Sequence, residues 1–220
     1  MKINKNLSQK LKKLRADSVN VEYIYMDIAE FTLNRSIEAQ LFIINKLNYI
    51  VKEALKSQTV SKISKVFYAK VIFIPTGDGL CIALRDGKNG HELVFKLALN
   101  ILKRVGTHNR KITDKGMRFE LRIGINANTD LLHRDINRRL NFAGAGINNA
   151  QRLMSMADPS QIIVSEGIYS RLSQYSEYLN CFREWDGRSK HNIPLRCYQY
   201  INHKILFLNS KIPGKFKPLH

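Results

Sequence analysis

Two aspartates stand where a chain could bring charge to the end of a sheet. Asp27 closes the apolar run from Val19 to Ile28, and Asp78 sits between glycines in Pro75-Thr76-Gly77-Asp78-Gly79. If those segments are neighbours, both carboxylates reach one point, which is how Mg2+ is held beside substrate phosphates with few protein ligands. The glycines, Gly77 among them, let the backbone approach a bulky anion. Taken singly, one strand-terminal and one turn aspartate are ordinary features. A third segment adds to them: Ala143-Gly144-Ala145-Gly146 feeds a helix in which Asn148 and Arg152 lie four apart and share a face. An amide and a guanidinium on one face suit a sugar hydroxyl and a phosphoryl group. The three cysteines, Cys81, Cys181 and Cys197, have neither zinc-site nor disulfide-framework spacing. They read as the inert thiols of a reduced, cytoplasmic protein.

The elements that must position these residues follow from hydrophobic period. Val19 to Ile28 is β-branched and aromatic, a buried strand. From Ile37 to Leu55 apolar residues recur at three and four, an amphipathic helix that Asn34 or Ser36 would cap. Val66 to Pro75 and Leu80 to Leu84 flank the Gly-Asp-Gly turn as a hairpin. His91 to Val105 is a second helix, Arg118 to Asn126 a strand, Thr129 to Leu140 polar and irregular, and Ile147 to Ala157 a third helix. Gln161 to Val164 is a short strand and Ile168 to Gln174 a helical turn or two. Phe182 to Trp185 and Leu195 to Ile201 form a last hairpin. Helices mixed with hairpins predict an α+β, ferredoxin-like fold with a mainly antiparallel sheet, not a doubly wound parallel one.

The 220 residues are expected to form one domain over 19–202, between a basic arm at 1–18 and a basic tail at 203–220. A hydrophobic share of 44% excludes a disordered or fibrous chain. No apolar run is long enough to span a membrane, and the N-terminus lacks the apolar stretch of a secretory signal. Lys and Arg outnumber Asp and Glu by 36 to 18, a net charge of +18. Such charge favours phosphate-rich ligands, but it is spread out without a dense stripe. The aromatics fall mostly in apolar strand patterns, so nucleic acid and membrane surfaces are not expected as partners.

Taken together, these segments resemble the class III nucleotide cyclase domain, over roughly Glu22 to Tyr200. The blocks that carry the resemblance are Asp27-Ile28-Ala29-Glu30-Phe31-Thr32, Gly77-Asp78-Gly79, Arg122-Ile123-Gly124-Ile125-Asn126, Ile147-Asn148-Asn149-Ala150-Gln151-Arg152 and Asp158-Pro159-Ser160-Gln161-Ile162-Ile163-Val164-Ser165, in the family's order. The resemblance implies attack of a ribose 3′-hydroxyl on the α-phosphate, with pyrophosphate leaving. It makes Asp27, Asp78 and the Ile28 carbonyl the ligands of two divalent cations, Mg2+ or Mn2+. Asn148 would orient the ribose and Arg152 would stabilise charge on the α-phosphoryl oxygens, while Phe31, Thr32, Gly77, Asn141 and Lys190 would line the substrate. The family works as a head-to-tail dimer with composite sites, so a homodimer is expected.

The sequence departs from the family's purine-reading pattern. Ile74 stands where adenylate cyclases carry a base-reading Lys, and Asn141 where they carry Asp or Thr. Asn128 replaces a usual Gly, at a turn where Asn tolerates left-handed backbone. Arg35-Ser36-Ile37-Glu38-Ala39-Gln40, Asp135-Ile136-Asn137 and Lys190-His191 are similar to short stand-alone bacterial cyclases, a group that includes the Pycsar pyrimidine cyclases of antiphage defence. That resemblance implies UTP as substrate, cyclic UMP as product and a separately encoded effector, with Asp135 and Asn137 as candidates to lock the Asn141 amide against uracil. A cytidylate cyclase, a conventional adenylate or guanylate cyclase, and a non-catalytic nucleotide-binding module remain the alternatives.

Overall fold

The computed structural model describes residues 18–57, 70–86, 89–188 and 194–216. The arm expected over Leu7 to Arg15, the start of the Val66 strand and the candidate Lys190 lie outside those residues.

The first strand is the middle of the sheet. β1 (Ser18–Ile28) pairs antiparallel with β3 (Gly79–Arg85) on one side and with β4 (Leu121–Arg134) on the other. Beyond β3 lies β2 (Val71–Pro75). Beyond β4 come β6 (Ile162–Ser165), β8 (Pro194–Tyr200) and β7 (Phe182–Arg188), while β5 (Leu140–Ala143) pairs with the far half of β4. Among the described strands only β4 and β6 run parallel. The α+β fold with a mainly antiparallel sheet is the one the periodicity predicts.

Both faces of β1 are covered, which is why Val21 to Ile28 is buried without a break. Successive side chains alternate between faces. Ile24, Met26 and Ile28 join the core under α1 (Ile37–Lys56) and α2 (Gly90–Lys111), whereas Val21, Tyr23 and Tyr25 pack with α3 (Gly146–Met156) on the other face. Asp27, in step with Tyr23 and Tyr25, therefore belongs to the α3 face. Ser36 caps α1, its Oγ accepting the Ala39 N–H at 3.3 Å. α3 presses so closely on β4 that a Cβ at Gly124 would lie 2.2 Å from the Ala150 carbonyl oxygen. A short helix, α4 (Glu166–Leu172), precedes the last hairpin.

Three elements differ from the sequence expectation. α2 runs on to Lys111, beyond the apolar stripe that stops at Val105. Its last turns bury nothing and end in His108, Arg110 and Lys111, cations suited to a helix C-terminus. β4 does not stop at Asn126: it continues to Arg134 and forms a hairpin with β5, where an irregular polar segment was expected. Asp130 hides that strand in the sequence, being a carboxylate only 3% exposed. Residues beyond 202, expected as a tail, pack on the domain through the buried Leu208 and Phe216, the latter stacked on Trp185 with ring centroids 5.6 Å apart.

Candidate active site

Backbone pairing brings the two aspartates together. Asp27 is opposite Gly79 across the β1–β3 ladder, and the Ile28 N–H donates to the Asp78 carbonyl oxygen at 3.2 Å. The glycines make this approach possible. A Cβ at Gly79 would fall 2.1 Å from the Met26 carbonyl oxygen, and Gly77 holds φ +85°, where a side chain is strained. Asp27 is buried and Asp78 half-buried at the turn. The loop beyond β1 is fastened by Arg35, whose guanidinium donates to the Glu30 and Arg118 carbonyls. It carries Phe31, half-buried against the main core, and the exposed Thr32.

Asp27 has a partner that sequence reasoning missed. Arg122, opposite it on β4, donates from Nε to Oδ1 at 2.9 Å and from a terminal nitrogen to Oδ2 at 2.5 Å. Burial pushes the Asp27 carboxyl up from its ordinary pKa. Arg122 opposes that shift, the Asp78 charge adds to it, and Lys215 opposes it weakly. Lys215 arrives on the C-terminal segment and donates to the Ser155 carbonyl oxygen at 2.6 Å. That segment is tied down by the Gly214 N–H on Asp158 at 2.9 Å and by Gln161 and Gln199, which both donate to the Lys211 carbonyl. Arg122 stood in a quoted motif, but only the β1–β4 register shows what it faces. Nothing in the sequence pointed to Lys215.

The amide and guanidinium sit elsewhere. Asn148 is exposed on α3, and Arg152 donates to Asn149 at 3.1 Å. Among the described residues no hydrogen bond or ion pair joins either of them to Asp27 or Asp78. Within one chain the two carboxylates and the amide–guanidinium pair are thus not joined. The start of α3 is fixed by Asp130: Oδ2 accepts the Gly146 N–H at 3.1 Å and the Tyr23 hydroxyl at 2.7 Å. Burial and this bond push the Tyr23 phenol far above its ordinary range. Gly144 and Gly146 leave room for that carboxylate, since a Cβ on either would lie within 2.2 Å of it.

The expected base-reading residues are spread out. Ile74 is half-buried against the α3-side cluster, on which Ile147 and Leu140 also pack. Asn141 is opposite His133 on the β4–β5 ribbon, and its Oδ1 accepts the Phe142 N–H at 2.8 Å. Asp135 is engaged by the hairpin tip, accepting the Asn137 and Arg139 N–H groups at 2.8 and 2.9 Å. No hydrogen bond among the described residues joins Asp135 or Asn137 to Asn141, because the tip turns them away along the ribbon. Cys81 and Cys197 are free and buried, and burial pushes the Cys197 thiol up to about 12.

The fold is an α+β domain in which two carboxylates converge at one end of the sheet. The adenylate and guanylate cyclase catalytic domain family matches residues 13–200, and the chain belongs to that family, a class III nucleotide cyclase domain. Among solved structures it is similar to the guanylate cyclase domain of RhGC from Catenaria anguillulae in complex with GTP, with 18% identity, 83% of this chain and 96% of that one covered, and a TM-score of 0.61. It is also similar to a non-canonical dimeric guanylyl cyclase domain of the RhoGC fusion protein from the aquatic fungus Blastocladiella emersonii, at 19% identity, 84% and 97% coverage and a TM-score of 0.62. A third is the adenylate/guanylate cyclase/hydrolase from Silicibacter pomeroyi, at 21%, 84%, 98% and 0.61. At such identities the likeness is one of fold. No curated protein matches the chain. No helix among the described residues is long and apolar enough to cross a membrane.

Proposed function

We propose that the chain is a uridylate cyclase, converting UTP to 3′,5′-cyclic UMP and pyrophosphate as a homodimer with composite sites. The observation that carries the reading is the separation of the half-sites: Asp27 and Asp78 converge at one sheet end, while Asn148 and Arg152 stand on an open face of α3 without touching them. A second copy of the chain would supply the missing half.

The donor set fits divalent cations. Asp27 is a carboxylate made costly by burial and by the neighbouring Asp78 charge, so it calls for positive charge, which Arg122 supplies in their absence. The described residues hold no group of three or more His, Cys, Asp or Glu that could bind a metal. Mg2+ or Mn2+ would therefore rest on Asp27, Asp78, the Ile28 carbonyl and oxygens of the substrate. Bound there, the cations would lower the pKa of the ribose 3′-hydroxyl and neutralise the triphosphate. The chain's own residues do the rest. Asn148 orients the ribose, and Arg152 offers a forked donor to the α-phosphoryl oxygens as charge grows on them. Arg122 and Lys215 stand beside the carboxylates as fixed cations for the phosphate chain. Phe31, Thr32 and Gly77 shape the wall around it.

Base choice rests on two features. Ile74 offers no hydrogen bond at the position where purine cyclases read their base. Asn141, with Oδ1 engaged by Phe142, has its amide N–H2 to donate, which suits a carbonyl of uracil better than the exocyclic amine of cytosine. The shared wording with stand-alone bacterial cyclases supports a product that acts as a second messenger on a separately encoded effector in antiphage defence. Incubation with each of the four nucleoside triphosphates and Mn2+ or Mg2+, with the product identified by mass, tests the reading. Cyclic UMP as the main product supports it, a cyclic purine nucleotide as the main product rejects the base assignment, and no cyclic product from any of the four rejects the enzyme.

A further inference from the structure

On the sheet face away from α3, α1 and α2 leave a groove of about 650 Å3 between them. Its α2 wall carries Arg104, His108 and Lys111 at spacings of four and three, with Lys103 one residue further round the helix. Its α1 wall carries Phe42, Lys46 and Tyr49 at spacings of four and three. No carboxylate lines the groove, and none of its lysines or arginines is in an ion pair among the described residues. Burial and the nearby Lys46 charge push the His108 imidazole below its ordinary range. The positive charge of the groove therefore rests on lysine and arginine. Tyr49 is 57% exposed, with the Lys46 ammonium 5.2 Å from its ring centroid.

We propose that this groove binds single-stranded nucleic acid. Cations from Lys103 to Lys111 cover about 12 Å of helix at 1.5 Å per residue, a reach that takes in a short run of consecutive phosphates. The exposed tyrosine ring offers a face on which a base stacks, and base stacking on such platforms is tolerant of sequence. Stacking on the ring needs a base free of its partner strand, which favours a single strand over a duplex. A lipid surface would need the cations on a convex face, whereas here they line a concave one. The pairing of aromatic and basic residues is invisible along the chain, because Tyr49 and Lys103 are more than fifty residues apart and meet only when the helices pack.

Fluorescence anisotropy of a labelled oligo(dT) or oligo(U) strand tests the proposal on the full chain. Neutralising about three phosphates predicts an affinity that falls roughly twentyfold between 50 and 200 mM salt. The double variant Lys103→Glu/Lys111→Glu is expected to bind at least tenfold more weakly with a shallower salt slope. Arg139→Glu, a charge reversal on the β4–β5 hairpin, should bind as the parent does. Tyr49→Ala should weaken binding several-fold with Tyr49→Phe restoring it, and this single surface change decides the matter if the double variant is misfolded by circular dichroism. Unchanged binding in the folded double variant, or in Tyr49→Ala, would overturn the proposal. So would equal competition by duplex DNA, heparin or anionic phosphatidylserine vesicles, which would mark a general polyanion surface.

Discussion

At the scale of the residue, the two aspartates differ in what surrounds them, and this separates their mutants. Asp27 shares two hydrogen bonds with Arg122 inside the fold, whereas Asp78 sits half-buried at a turn. Asp27→Ala would strand a partly buried guanidinium, at a cost of roughly 1–3 kcal/mol. Asp78→Ala should leave the melting temperature within about two degrees of the parent, a stability change of well under 1 kcal/mol. Both should drop turnover below a tenth of the parent, because one carboxylate does not hold the cations against a triphosphate. Equal thermal stability of the two variants, or more than a tenth of the activity in either, would count against this arrangement. These two positions were legible as candidates only in combination, since a carboxylate at a strand end and another in a glycine turn are each ordinary and gain weight from the glycine-rich segment and helix that follow. Arg122 was not: its importance lies in facing Asp27 across the sheet, a relation that only strand register creates.

At the scale of the element, α3 is held by a single buried carboxylate. Asp130→Ala removes the acceptor for both Tyr23 and the Gly146 N–H, leaving a buried hydroxyl and a helix-end amide unpaired. We expect a loss of about 2–6 kcal/mol, from two such groups at 1–3 each, and lower activity, since α3 carries Asn148 and Arg152. Chemical denaturation checks the first and turnover at a temperature well below unfolding the second. α2 has a different device at its start. Gly90 makes room for Glu22, whose carboxyl would be 2.4 Å from a Cβ there, and burial lifts that carboxyl to about 7 despite Arg171 nearby. Its ordinary value is 4.5, so the folded state keeps the proton that the unfolded state loses between about 4.5 and 7. Stability should therefore fall as pH rises through that window, by up to about 3 kcal/mol, and level off above it. Glu22→Gln should flatten the slope in melting temperature between pH 5 and 7.5, and an unchanged slope would show that other groups set it. Sequence patterns caught the elements whose apolar residues keep a period. They missed the β4–β5 hairpin, whose buried Asp130 breaks the alternation, and the last turns of α2, which bury nothing.

At the scale of the whole molecule, the half-sites make a prediction about assembly. Asp78→Ala and Arg152→Ala should each be inactive alone, yet a mixture should regain activity. In a random mixture half the dimers are mixed and each has one intact site of two, so about a quarter of the parent's activity is expected. Mass-tagged subunits would show whether exchange occurs. Exchange without recovery would mean that each site is built within one chain. The general α+β layout was readable from the order of helices and hairpins, but the side of the sheet on which α3 lies was not, because it depends on how the strands order in space.

The central place of β1 also bears on how the protein is made. A ribosome releases this strand well before its partners: Asp27 waits for Gly79, and Ser18 for Leu131. Until β3 emerges, a run as apolar as Tyr23-Ile24-Tyr25-Met26 has both edges open, and until β4 emerges one edge remains so, the condition under which nascent chains pair with one another. Pairings so distant in sequence also slow folding, because the intervening loop must close before any ladder forms. Fragments ending before Leu121 should accordingly aggregate during synthesis, and the complete domain should need low temperature or chaperone assistance to be recovered in high yield.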